Sequence, residues 1–153
     1  MIEFKPPQQI KTNKNITSIF IGGTIDMGDS VEWQNEVIKQ LEDKNCYVYN
    51  PRRESWDQSW VQNIENPQFY QQVNWELNAL DKADYVIINL LPNSKSPISL
   101  LELGLYANSG KLLVCCPKEF YRSGNIQIVC DKFNIPIFET LNELLLELKP
   151  FLK

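Results

Sequence analysis

The chain has 153 residues, enough for one domain with its own core, and its 43% hydrophobic and 22% charged residues are ordinary for a globular protein. A net charge of −4 and a pI near 4.9 argue against nonspecific binding to DNA or RNA, which needs a basic surface. No apolar run is long enough to span a membrane, and the polar N-terminus with Pro6-Pro7 does not read as a secretory signal, which points to the cytoplasm.

Residues 1–16 read as a polar arm before a single domain over 17–153. Thr17 to Gly23 (TSIFIGG) is a short apolar run closed by two glycines, which predicts a buried strand and a tight turn. A helix is expected from about Ser30, with Ser30 as N-cap and Trp33, Val37 and Leu41 as its apolar stripe. Cys46 to Tyr49 reads as a second strand ended by Asn50-Pro51, and 51–67 as a long loop rich in Trp and Arg. A helix over 68–82 leads into a third strand, Asp84 to Leu91. The next helix is expected from Pro97 to about Asn108, with Ser96 as N-cap and Gly110 as its stop. Strand 111–116, helix 123–133, strand 135–138 and helix 141–152 complete the chain. Short, nearly continuous apolar strands alternating with helices signal a parallel sheet covered on both faces. Five such strands favour a flavodoxin-like doubly wound α/β sheet, in which a ligand sits at the carboxyl ends of the strands beside the switch point. Gly22–Asp29, the 51–67 loop and Leu91–Glu102 then matter most.

The chain has no histidine, which removes Ser-His and Cys-His catalysis and leaves acid–base work mainly to carboxylates. The four cysteines (46, 115, 116 and 130) form no C-x-x-C pair, and Cys115 and Cys116 sit in an apolar run as core residues. Neither a metal nor a cofactor is expected. Two glutamates break the helical patterns. Glu76 lies on or beside the stripe Phe69, Val73, Leu77 and Leu80; Glu102 lies beside the stripe Ile98, Leu101 and Leu105. A carboxylate facing a core is costly unless it is paired or hydrogen-bonded. Either one alone could be a stripe-edge residue reaching solvent or a lysine. Together they flank the third strand, and Glu102 stands one turn inside a helix that starts at the ligand-binding edge. Two neighbouring carboxyl groups are the equipment for cleaving a glycosidic bond.

The segment Ser96-Pro-Ile-Ser-Leu-Leu-Glu-Leu-Gly-Leu-Tyr-Ala-Asn-Ser-Gly-Lys111 resembles the signature of nucleoside 2-deoxyribosyltransferases. Asn74-Trp-Glu-Leu-Asn-Ala-Leu-Asp-Lys-Ala-Asp84 resembles the family's second motif, and Ile19-Phe-Ile-Gly-Gly-Thr-Ile25 its first strand and turn, with Gly23 and Thr24 at the substrate edge. The likeness covers most of residues 17–140. Trp33, Asn50-Pro-Arg-Arg, Trp56, Trp60 and Trp75-Glu76 look closer to a transferase-like branch than to the lactobacillar enzymes. The resemblance implies a ping-pong exchange of nucleobases on deoxynucleosides. Glu102 is the nucleophile at C1′, and Glu76 is the active-site acid that is usually an aspartate. It also implies a homo-oligomer. Phe20 stands where the lactobacillar enzymes carry a tyrosine that contacts the nucleophile, so another group must hold Glu102.

A sister branch hydrolyses deoxynucleoside 5′-monophosphates, reading the phosphate with a serine six residues before the nucleophile and with a Ser-Ile-Arg-Gly turn. Ser96 has that spacing and Thr24 can replace the turn serine, but Asp26 occupies the arginine position and repels a phosphate. Arg52 and Arg53 offer a phosphate clamp instead. The balance favours a nucleoside with a free 5′-hydroxyl accepted by Asp26, and Ser96 as a plain N-cap. Trp56 and Trp60 either stack on the base or pack the loop. Asn125 either reaches a neighbour's site, as the family implies, or serves as an ordinary turn residue. The rival readings are the hydrolase, a non-catalytic nucleotide-binding domain, and a flavin carrier, which lacks its phosphate loop here.

Overall fold

The computed structural model describes residues 1–25, 32–54, 57 and 59–153. Among these, six strands form one parallel sheet: β1 (Ile2–Phe4), β2 (Thr17–Gly23), β3 (Cys46–Tyr49), β4 (Tyr85–Asn89), β5 (Leu112–Cys115) and β6 (Ile137–Phe138). Its order is β1-β3-β2-β4-β5-β6. The inner run β3-β2-β4-β5-β6 has the 2-1-3-4-5 order of flavodoxin-like sheets, with its switch point between β2 and β4.

The sheet is covered on both faces because its strands alternate apolar residues to both sides. On one face, Phe20, Val86 and Ile88 pack with Trp75, Ala79 and Leu80 of α2 (Pro67–Lys82), Leu103 of α3 (Pro97–Tyr106) and Ile126 of α4 (Ser123–Phe133). On the other, Ile19, Ile21 and Ile87 pack with Trp33 and Val37 of α1 (Trp33–Gln40) and Leu144, Leu145 and Leu148 of α5 (Leu141–Leu148). The four cysteines are buried free thiols, and burial pushes Cys115 up to about 12.

The sixth strand corrects the expectation of five. β1 lies inside the segment read as a polar arm and pairs with β3 through Ile2↔Tyr47, Glu3↔Val48 and Phe4↔Tyr49. Three residues are too few to show a period, yet Phe4 and Ile10 are buried, and Trp75 Nε1 donates to the Gln8 carbonyl at 2.8 Å. The last helix also ends early: α5 stops at Leu148 and gives way to a 3-10 turn at Lys149–Phe151, as Pro150 requires. The proposed N-cap Ser30 lies outside the described residues.

The helix faces differ from the stripes read in the sequence. On α3, Ile98, Leu101 and Leu105 are 60%, 58% and 59% exposed, while Ser99, Glu102 and Leu103 are buried. The helix is apolar nearly all round, so its hydrophobic residues do not single out one face. On α2, Leu77 is exposed and the buried set is Gln72, Trp75, Ala79 and Leu80.

Candidate active site

The carboxyl ends of β2 and β4 meet so closely that only glycine fits at the end of β2. Gly23 has φ +145°, and a side chain there would fall on the Asn89 backbone. Gly22 has an ordinary backbone, but a Cβ on it would stand 3.2 Å from Glu102 Oε2 and 2.8 Å from Phe20 Cε1. The Glu102 carboxyl group thus rests over the bare backbone of Gly22, one turn into α3 at the carboxyl edge of the sheet. Gly22 had carried no role of its own in the sequence; the close approach became visible only with α3 in place.

Glu102 is 7% exposed and, among the described residues, makes no side-chain hydrogen bond. Burial first, and then the charge of Glu76, push its carboxyl up to about 8. Glu76, half-buried on α2, is raised by burial to about 7, against the pull of the Gln72 amide. Gln72 Nε2 donates to Glu76 Oε1 at 2.7 Å and to the Pro51 carbonyl at 2.9 Å. Burial lifts both carboxyl groups above the usual carboxylate range, and the charge of Glu76 adds to the rise at Glu102, which disfavours ionising both together. Such a pair can supply one ionised and one protonated member at once.

Just past the Gly22–Gly23 end of β2, three hydroxyls form a triangle. Thr24 Oγ1 lies 2.8 Å from Ser94 Oγ and 2.7 Å from Ser96 Oγ, and the two serines are 2.9 Å apart. All three residues are buried. Thr24 also accepts from the Leu91 amide at 3.0 Å, and its carbonyl accepts from Trp33 Nε1 at 2.9 Å. Ser96 was expected to be a plain N-cap. It stands at that position, but in the left-handed region (φ 46°), and its side chain caps no helix N–H. Its hydroxyl turns to Thr24 and Ser94 instead, which ties the start of α3 to the end of β2. Ser94 was not singled out in the sequence, where it looks like any loop serine.

The other candidates are spread more widely. Arg52 pairs with Glu32 at 3.3 Å and donates to Gln34 Oε1 at 3.3 Å. Arg53 donates to Gln71 Oε1 at 2.7 Å, and its guanidinium lies 5.1 Å from the centre of the Trp60 ring. Asn125 is exposed and lines an open groove of about 330 Å³ between α3 and α4, with Leu100, Leu103, Gly104 and Ile126. Neither Glu76 nor Glu102 lines that groove. Asp26 and Trp56 lie outside the described residues.

A conserved protein from Enterococcus faecalis V583 shares the fold with a TM-score of 0.66 at 13% identity, over 88% of this chain and 98% of that one. No curated protein matches the sequence. The family described as nucleoside 2-deoxyribosyltransferase like matches residues 16–120, a span that runs from β2 through the Gly22–Gly23 turn and both carboxyl-bearing helices to the end of β5. With that span covering more than half of the 153 residues, the chain belongs to the nucleoside 2-deoxyribosyltransferase-like family.

Proposed function

We propose that this protein is a nucleoside 2-deoxyribosyltransferase that exchanges nucleobases on 2′-deoxyribonucleosides in cytoplasmic salvage. The observation that carries this reading is the pairing of half-buried Glu76 with buried Glu102, which rests on Gly22 at the carboxyl edge of the sheet. In the first half-reaction an ionised Glu102 oxygen bonds to C1′ through an oxocarbenium-like transition state. The C1′–N bond breaks, and its electron pair leaves with the base, whose nitrogen takes the proton of Glu76. In the second, a nitrogen of the incoming base bonds to C1′, the C1′–O bond to Glu102 breaks, and Glu76 recovers a proton. The substrate-binding edge comprises Gly23, Thr24, Asp26, Trp56, Ser96 and Asn125, with Asp26 accepting the free 5′-hydroxyl.

A proton count supports a nucleoside over a 5′-monophosphate. Ser94 gives its one proton to the Leu91 carbonyl at 2.9 Å. The protons of Thr24 and Ser96 are then the two left for a triangle with three sides, so neither is free to bind a phosphate oxygen. Arg52 and Arg53 are engaged with Glu32, Gln34 and Gln71. The second reading is a deoxynucleoside 5′-monophosphate N-glycosidase, and one observation favours it: the Ser96 side chain is released from helix capping.

The surface of α3 supports the homo-oligomer that the family resemblance implies. Its exposed stripe Ile98, Leu101 and Leu105 is apolar, and the one charged residue of the helix, Glu102, is buried. Such a face suits a second copy of the same chain.

Deoxyinosine incubated with and without free adenine or cytosine, beside deoxynucleoside monophosphates, tests the reading. Base exchange without net hydrolysis is the expected outcome. Base release that ignores the added base indicates the hydrolase. No turnover of any substrate by the wild type overturns the catalytic reading altogether.

A further inference from the structure

We infer that Gln72 is a positioning residue for Glu76: its amide, locked in one orientation by the Pro51 carbonyl, clamps the Glu76 carboxyl group in its ionised form in the free protein. The inference rests on the transferase reading for its meaning in catalysis, but not for its geometry.

Both hydrogens of Gln72 Nε2 are used, one on Pro51 O at 2.9 Å and one on Glu76 Oε1 at 2.7 Å. Reversing the amide would turn its oxygen toward the Pro51 carbonyl, acceptor against acceptor, so the orientation follows from the hydrogen-bond network. Gln72 therefore always offers Glu76 a donor. A donor favours the carboxylate over the carboxylic acid. Gln72 is 4% exposed and its Oε1 is buried without a partner, so the residue keeps an unpaired acceptor for the sake of that orientation.

Among the described residues, Gln72 donates a side-chain hydrogen bond to Glu76 and no side chain donates to Glu102. From α3, Glu102 is the titratable group coupled to Glu76. On the connection after β3, Arg52 is held by Glu32 and Gln34, and Arg53 by Gln71. Farther along α2, Asp81 accepts from Tyr106 Oη.

The clamp has a consequence for the reaction. Attack at C1′ needs the opposite arrangement, with Glu102 ionised and Glu76 protonated. Substrate binding must therefore reverse the preference that the clamp sets at Glu76, and the free enzyme rests in the less reactive arrangement.

The test is a carboxyl ¹³C NMR titration of the full chain without substrate, wild type against Gln72→Met, whose side chain has similar length and no donor. The Glu76 midpoint should rise by about one pH unit in the variant, as expected for losing a hydrogen bond to the charged form, and meet that of Glu102. An unchanged Glu76 midpoint in a folded Gln72→Met protein overturns the clamp. Should the variant not fold, the wild-type Gln72 side-chain amide decides instead. Its two protons should exchange slowly and shift with the Glu76 titration; fast exchange, or no response to that titration, overturns the clamp. Because no turnover is read, failure here leaves the base-exchange result standing, and failure of base exchange leaves this titration interpretable.

Discussion

Replacing Gly22 by alanine adds one methyl group beneath the Glu102 carboxyl, and the outcome follows from distances. The new Cβ would lie 3.2 Å from Glu102 Oε2, 3.2 Å from Ile88 Cδ1 and 2.8 Å from Phe20 Cε1. Phe20 and Ile88 are fully buried, so neither can swing into solvent. Overpacking a filled core in this way costs about 1–3 kcal/mol. For a domain of this size that lowers Tm by about 3–10 °C in a thermal melt. The carboxyl group ends a longer, more flexible side chain and yields most readily, by a few tenths of an ångström. Misplacement of that order at a reacting atom removes up to about tenfold from kcat in the base-exchange assay. Gly104→Ala serves as the thermal control, because a Cβ there meets nothing within 4 Å and helix propensity favours alanine by about 0.5–1 kcal/mol. A Gly22→Ala protein with wild-type Tm and wild-type kcat would refute the placement of Glu102 over Gly22.

The raised carboxyls make stability depend on pH in the opposite sense to an ordinary salt-bridged acid. Both glutamates hold their protons more tightly folded than unfolded, so stability is fullest below about pH 4.5 for these two groups and falls as pH climbs through 7 and 8. For Glu102 the loss approaches about 5 kcal/mol at most. Glu102→Gln should therefore raise Tm at pH 9 and leave it nearly unchanged at pH 5; equal effects at both pH values would contradict the burial argument. The dependence of kcat/KM on pH should be a narrow bell with apparent limbs near 7 and 8 belonging to the pair, and a flat profile from 6 to 9 would refute the role of the two raised carboxyl groups. Ser94→Ala removes the hub of the hydroxyl triangle and should lower unfolding free energy by about 1–3 kcal/mol in urea with the m-value unchanged. Leu101→Asp puts a charge on the exposed face of α3 and should yield monomers in analytical ultracentrifugation where the wild type assembles, whereas a wild type that sediments as a monomer refutes that interface.

The strands that carry the site were readable because each is a short run of apolar residues buried on both faces: TSIFIGG, CYVY and YVIIN stand out from polar surroundings. β1 was not, since Ile2–Phe4 is an edge strand of three residues in which only the last is buried. Glu76 and Glu102 were legible as misplaced carboxylates, although the stripes used to find them were partly wrong. Ile98, Leu101 and Leu105 face outward, and Glu102 is buried with Ser99 and Leu103 instead. An apolar helix with one face on the core and another exposed carries too little contrast for a period to separate them. Gln72 and Ser94 were invisible for a different reason. Each matters through a partner distant in sequence, Pro51 for one and Thr24 for the other, and a lone glutamine in a helix or serine in a loop carries no local sign of that partner.

The most direct test of the central claim is to quench the enzyme with acid during turnover of a deoxynucleoside with no acceptor base, and then digest it and map the peptides by mass spectrometry. Glu102 as nucleophile predicts a mass increment of one 2-deoxyribosyl group on the peptide containing that residue, lost on adding a free base before the quench and missing in Glu102→Ala. Turnover with no adduct, or an adduct on a peptide without Glu102, would contradict it.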